Sequence, residues 1–309
     1  MAIVTSPLLT SLKVGFNKTF EDAKSQAPVQ WPLAATLVSS TTQSTTYGWL
    51  GQFPQLGEWV GPRVIKSMSE HGYSISNKLF EGTVDVKRTD IEDDNLGIYT
   101  PLFASMGNAA ATHPDTLVFG LLGKGVSTLC YDGQYFFDTD HPVAAEVDGT
   151  GAVTTVSNLI DPVAGESGEA WYLLDVSRPL KPIIFQERTK PDLLSVTDPK
   201  QDHVFTYDKY VFGVRYRCNA GFGFWQQAIC CRDALNAENF EKALRRMRSF
   251  KADGGRPLDL GRGGKAGTLL VVPDSLESAA EKIVAKEHLA GGESNTNYNK
   301  ATIFNCAWL

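Results

Sequence analysis

The chain has 309 residues, of which 42% are hydrophobic and 21% charged, a balance that excludes a disordered polymer and leaves enough apolar surface for a substantial core. A net charge of -6 excludes a nucleic-acid binder that works by neutralising many phosphates, though a wall that merely confines DNA stays compatible. The five cysteines (Cys130, Cys218, Cys230, Cys231, Cys306) are odd in number and irregularly spaced, so neither a disulfide framework nor a zinc-ligand pattern is indicated and reduced thiols are expected.

The N-terminus has no basic stretch followed by a long apolar one, and no run approaches the length of a membrane span, so a soluble intracellular product without membrane contact is expected. Leu9, Leu12, Phe16 and Phe20 at helical spacing predict a short amphipathic arm over residues 8–26, free to lie along a neighbouring subunit. The run Ser39 to Thr46 is polar throughout and reads as an extended tether. Residues 48–90 carry many glycines and prolines around strand-like stretches at Val64 to Met68, Tyr73 to Phe80 and Thr83 to Lys87, which predicts a projecting β-hairpin. Exposed strand edges on such a hairpin suit a chain that waits for another to cover them. Trp59, Arg63, Tyr73 and Ile75 are its candidate contact residues.

The acidic run Asp90 to Asp94 leads into a helix expected over about 100–122, with Thr100 as cap, Pro101 in the first turn, and a kink or break at His113-Pro114. Between Val126 and Cys231 the signals are mainly β, with short runs at Tyr131 to Phe137, Ile183 to Gln186 and Tyr210 to Tyr216. Asn236 caps a predicted helix carrying Phe240, Leu244, Met247 and Phe250 that ends near Gly254. Leu269 to Val272 reads as a buried strand. A last helix starts at an acidic capping box, Asp274 and Glu277, buries Leu276, Ala279, Ala280, Ile283 and Val284, and stops at Gly291-Gly292. The class is α+β, without internal repeats.

No stretch assembles a convincing catalytic, cofactor or metal site. Asp138, Asp140 and His141 offer metal-ligand atoms, yet Asp and His-Pro are equally expected in a turn. The Ile91 to Asp94 cluster lacks the alternating ligands and glycine of a calcium loop. Gly261 to Gly267 departs from a phosphate loop at Asp259 and Ala266, and reads as a flexible surface loop. Gly221 to Gln226 lacks the third glycine of a dinucleotide fingerprint, and Gly165 to Gly168 is one residue short of a nucleophile elbow. Cys230-Cys231 reads as two small hydrophobes, and Lys242, Arg245, Arg246, Arg248 and Lys251 as a solvated helix face.

Several ordered motifs resemble the major head subunit family of Mu-like tailed phages. They are Tyr47 to Pro54 with Glu58 to Arg63, Tyr73 to Glu81, Val86 to Asp94, Cys130 to Pro142, Arg178 to Pro182, Asn219 to Trp225, Gly254 to Leu258 and Leu269 to Pro273. Gln55-Leu56-Gly57 departs from the polar turn expected there. The resemblance implies a Hong Kong 97-type capsid fold: an N-terminal arm over 1–47, an E-loop over 48–90, a spine helix region over 91–124, a P-domain over 125–234 and an A-domain over 235–309. It also implies a subunit with no catalytic, cofactor or metal residues, assembling with itself into hexamers and pentamers. Its other implied partners are a scaffold, a maturation protease, a portal, and double-stranded DNA held without sequence specificity. Two alternatives are an encapsulin-like compartment shell and a metal-dependent enzyme using Asp138, Asp140 and His141.

Overall fold

The computed structural model describes residues 5–50, 72–93, 96–147, 149–163, 167–198, 200–289 and 291–309. Its first half comprises α1 (Ser6–Gln26), β1 (Ala35–Ser39), β2 (Ser44–Thr46), β3 (Ser74–Ser76), β4 (Lys78–Lys87), α2 (Arg88–Glu92) and α3 (Thr100–Leu122). There follow β5 (His141–Ala144), β6 (Val153–Val156), β7 (Leu159–Ile160), β8 (Trp171–Asp175), β9 (Ile183–Val196), α4 (Asp202–Tyr207), β10 (Lys209–Phe222) and β11 (Ala228–Cys231). The last part holds α5 (Ala237–Ser249), α6 (Gly264–Gly267), β12 (Thr268–Val272), α7 (Glu277–Ala280) and β13 (Thr302–Asn305).

Two sheets organise these elements. The four-stranded sheet runs β1-β9-β10-β4, with β1 parallel to β9 and the rest antiparallel. Along β10, Tyr210, Phe212, Val214, Tyr216 and Cys218 alternate inward, as a half-buried strand requires, while Arg215 and Arg217 take the other face. The inward face receives α1 and α3: Phe16 stacks on Phe103 at 4.2 Å, and both meet Phe212 edge-on, at 5.4 and 5.2 Å. Burying each such ring stabilises by roughly 1.5–3 kcal/mol, so this aromatic cluster anchors α1 to its own chain. The approach is close enough that a Cβ on Gly107 would lie 2.4 Å from the Phe20 carbonyl oxygen.

The five-stranded sheet runs β13-β12-β8-β11-β7. Every residue of β8, β11 and β12 is buried, which is why Trp171 to Leu174 and Leu269 to Val272 are continuous apolar runs and not alternating ones. Phe240, Ala243, Leu244 and Met247 of α5 complete this core from one side, with Ala280 of α7 and Ile283 and Val284 just after it.

Several expectations are corrected. The arm over 8–26 is a 21-residue helix seated on α3 of the same chain. The polar run from Ser39 to Thr46 ends β1 and supplies β2, and Ser40 between them bonds to Thr45 (2.9 Å) and accepts from Asn77 (3.0 Å). Val64 to Met68, Trp59 and Arg63 lie outside the described residues. Tyr73 to Lys87 does not project: β4 is one ten-residue strand paired along its length with β10, and β3 pairs with β2. Ile75 is only 3% exposed, and the Tyr73 hydroxyl accepts the Phe222 N–H at 2.6 Å, so both serve the chain's own packing.

The long helix is uninterrupted through Pro114, and Thr100 lies inside it without a side-chain cap. Tyr131 to Phe137 forms turns instead of a strand, because Gly133 takes a left-handed φ of 86° and Asp132 accepts the Gln134 N–H at 3.1 Å. The last helix lacks its capping box and ends at Lys286 after a π turn over Glu281–Ala285. Asn295 ends it, donating to the carbonyls of Ile283 (2.8 Å) and Lys286 (2.7 Å). The boundary expected at 234/235 cuts through a sheet, since β8 pairs with both β11 and β12.

Candidate functional site

The metal candidates Asp138, Asp140 and His141 are adjacent in sequence but face different partners. Asp138 accepts the N–H groups of Tyr135 and Thr139, at 3.2 and 2.7 Å, closing the turn around itself. Asp140 is held above the usual carboxylate value by its hydrogen bond with Asp138. His141, at the start of β5, is fully buried and stacks flat on Trp225, with centroids 4.0 Å apart and planes 9° from parallel.

The partners of His141 come from two other turns. Its Nδ1 lies 2.7 Å from Asp132 Oδ2, and its Nε2 lies 3.2 Å from Asn158 Oδ1. The Cys130 thiol donates to Asp132 Oδ1 at 2.9 Å. Burial pushes the Asp132 carboxyl up, but the hydrogen bonds from His141 and Cys130 outweigh it and leave the group below its ordinary value. Burial and the Asp132 charge push the Cys130 thiol well up. The motif Cys130-x-Asp132 was visible in the sequence, whereas nothing there marked Asn158 as a neighbour.

The other motifs are absorbed into packing. Gly261 donates its N–H to the buried carboxylate of Asp175 at 2.6 Å, so the glycine-rich loop is tied down and not free. Gly221 leaves room for Ile75, while Phe222 and Trp225 fill the core. Cys230 and Cys231 lie within β11, their thiols pushed up by burial to about 12 and about 11, which makes them poor nucleophiles. On α5, Arg246 donates to the Leu159 carbonyl (3.1 Å) and Arg248 to that of Gly261 (3.0 Å). Asp90, within α2, accepts the Tyr99 hydroxyl at 2.5 Å, and Asp94 lies outside the described residues.

Exposed apolar side chains mark a second kind of site. Phe205 and Tyr207 on α4, beyond the far end of the β9 and β10 pair, are 84% and 62% exposed. Leu79, on the outermost strand β4, is 60% exposed. Large apolar groups left in water, two on α4 and one on the last strand of a sheet, suit a surface that another chain covers. Among the described residues no helix is long and apolar enough to cross a membrane.

Comparison with known proteins agrees with this surface-dominated picture. The family of the Mu-like prophage major head subunit gpT matches residues 9–309. The major capsid protein of Escherichia phage Mu is 48% identical over 295 residues, covering 96% of this chain and 95% of that protein. Of solved structures, a subunit from the procapsid of bacteriophage JBD30 superposes with a TM-score of 0.88 at 56% identity, covering 99% of this chain and 100% of the other. One from the capsid of the same phage gives 0.74 at 44% identity, covering 99% of each. The chain therefore belongs to the Mu-like prophage major head subunit family, and is a structural, non-enzymatic capsid subunit with the Hong Kong 97-type α+β fold.

Proposed function

We propose that this subunit closes an icosahedral shell from pentamers and hexamers of itself, around double-stranded DNA held without sequence specificity. A scaffold and a separate maturation protease act on the precursor shell, a portal occupies one vertex, and assembly takes place in the bacterial cytoplasm. The observation that carries this reading is the likeness to head subunits over nearly the whole chain. The higher TM-score to the JBD30 procapsid subunit, 0.88 against 0.74 for the capsid one, supports a precursor conformation of the subunit. Expansion would then be a rigid-body and hinge transition of a metastable assembly.

In this scheme α3 is the spine helix, the four-stranded sheet forms the peripheral domain, and the five-stranded sheet with α5 and α7 forms the axial domain. Heterologous contacts that close into rings need complementary patches on opposite sides of one subunit, and Phe205, Tyr207 and Leu79 supply apolar groups for them.

Electron microscopy and sedimentation of the purified protein, with and without a co-expressed scaffold, test the proposal. Closed shells, rings or tubes are expected from the wild type. Phe205→Asp is expected to leave the subunit folded but to reduce assembly, since a surface change away from the core costs within about 0.5 kcal/mol of stability. A wild-type chain that stays monomeric even with its scaffold would overturn the proposal, and shells unaffected by Phe205→Asp would remove α4 from the contact surface.

A further inference from the structure

We infer that Cys130, Asp132 and His141 form a zinc site, a role that goes beyond shell assembly. Their ligand atoms, Sγ, a carboxylate oxygen and a ring nitrogen, all lie within 4.8 Å of one another. Tetrahedral zinc takes sulfur at about 2.3 Å and nitrogen or oxygen at about 2.0–2.2 Å, which sets ligand atoms roughly 3.2–3.8 Å apart. The contacts of 2.7 and 2.9 Å to Asp132 therefore need to open by no more than about 1 Å to admit the ion.

Counting hydrogens shows what the ion would replace. The Asn158 amide nitrogen donates to the carbonyls of Phe136 (2.8 Å) and Trp225 (3.2 Å), so its Oδ1 is the atom that faces the Asp138 N–H (2.9 Å) and His141 Nε2. His141 Nε2 thus carries a hydrogen, and the nitrogen left for a metal is Nδ1, which faces Asp132. A second hydrogen must lie in the Nδ1 to Asp132 contact, and a third is on the Cys130 thiol. Zinc binding releases the last two as protons while a thiolate, a neutral imidazole and a carboxylate take the ion. Two positive charges leave and two arrive, so the buried cluster keeps its net charge, the main obstacle to placing an ion there.

The surroundings meet the other needs of a metal site. The Nε2–H to carbonyl bond is the outer contact that orients a metal-bound histidine, and the Trp225 face holds the ring in plane. Among the described residues, Cys130 and Asp132 line an open cavity of about 450 Å³ beside Tyr73 and Gly133, a route by which an ion and a water for its fourth position reach these ligands. A nitrogen, sulfur and oxygen set suits zinc over magnesium or calcium, which require oxygen alone. The bound ion would tie the turn before Gly133 to the start of β5.

Titration of the metal-stripped full chain with zinc, and with cobalt(II) as a spectroscopic probe, tests the assignment. One zinc per subunit and a thiolate-to-cobalt absorption band are expected, and both should be lost in Cys130→Ser, whose hydroxyl still donates to Asp132. Zinc should also slow alkylation of Cys130 in the wild type, mapped by mass spectrometry, a readout that needs no variant to fold. Absence of stoichiometric zinc, a cobalt band that survives in Cys130→Ser, or Cys130 alkylation indifferent to zinc would each overturn the site.

Discussion

Two glycines of α3 pose a paired test of how α1 is held. A Cβ at Gly107 would lie 2.4 Å from the Phe20 carbonyl oxygen and 3.1 Å from both Ala23 Cβ and Lys24 N, whereas one at Gly120 meets nothing within 4 Å. Carbon and oxygen atoms in close contact ordinarily stand about 3.3–3.6 Å apart, so Gly107→Ala must push α1 away by roughly 1 Å. Overpacking of this kind costs about 1–3 kcal/mol, and the shift also loosens the Phe16 to Phe103 stack. Alanine in place of glycine gains about 1 kcal/mol of helix propensity at either position. Gly120→Ala should therefore stabilise the subunit by up to about 1 kcal/mol, and Gly107→Ala should fall about 1–3 kcal/mol below it. Denaturant unfolding measures the totals. Amide exchange over residues 6–26 reports the local effect, with protection falling about tenfold for each 1.4 kcal/mol. If Gly107→Ala stabilised the protein as much as Gly120→Ala, the close docking of α1 on α3 would be refuted.

Two further outcomes follow from the structure. Asn236→Ala removes the side-chain oxygen that accepts the Asn239 N–H at 2.8 Å, and should cost about 1 kcal/mol in thermal or denaturant unfolding; no loss would mean the cap is redundant. Asp115, buried in α3, accepts the N–H groups of Gln30 (3.0 Å) and Trp31 (2.6 Å) through one oxygen, while burial holds its carboxyl above the ordinary value. A raised folded-state value means the folded chain binds more protons than the unfolded one across that window, so this group's contribution falls as pH rises through it. Asp115→Asn keeps an accepting oxygen and does not titrate. Its stability relative to wild type should rise from below about pH 4 to neutral pH, and a difference flat with pH would contradict the assignment.

The elements legible in the sequence are those whose signal is local. The Asn236 cap, the stripe of Phe240, Leu244 and Met247, and the apolar run of β12 each name their structure within a few residues, because helix and strand periodicities repeat at that range. The ordered motifs likewise identified the family, which the matched span of 9–309 bears out. The candidate site was legible only as ligand types near His141. Its partners lie 9 residues back at Asp132 and 17 ahead at Asn158, and only the packing of three turns against Trp225 aligns them.

Tertiary contacts decided the rest. A polar run such as Ser39 to Thr46 has too little apolar surface to declare a strand, yet Ser74 to Ser76 of β3 offer Ser44 to Thr46 a register they accept. Glycine at position 82 suggests a turn by propensity, but ten consecutive partners on β10 hold it inside one strand. By itself the sequence determined periodicity, the Asn236 cap, charge and family, because these depend on neighbours along the chain. Whether α1 docks on its own α3, where β4 pairs, and which groups meet His141 depend on contacts between distant segments, and these became fixed only when the two sheets and the long helix closed around their cores.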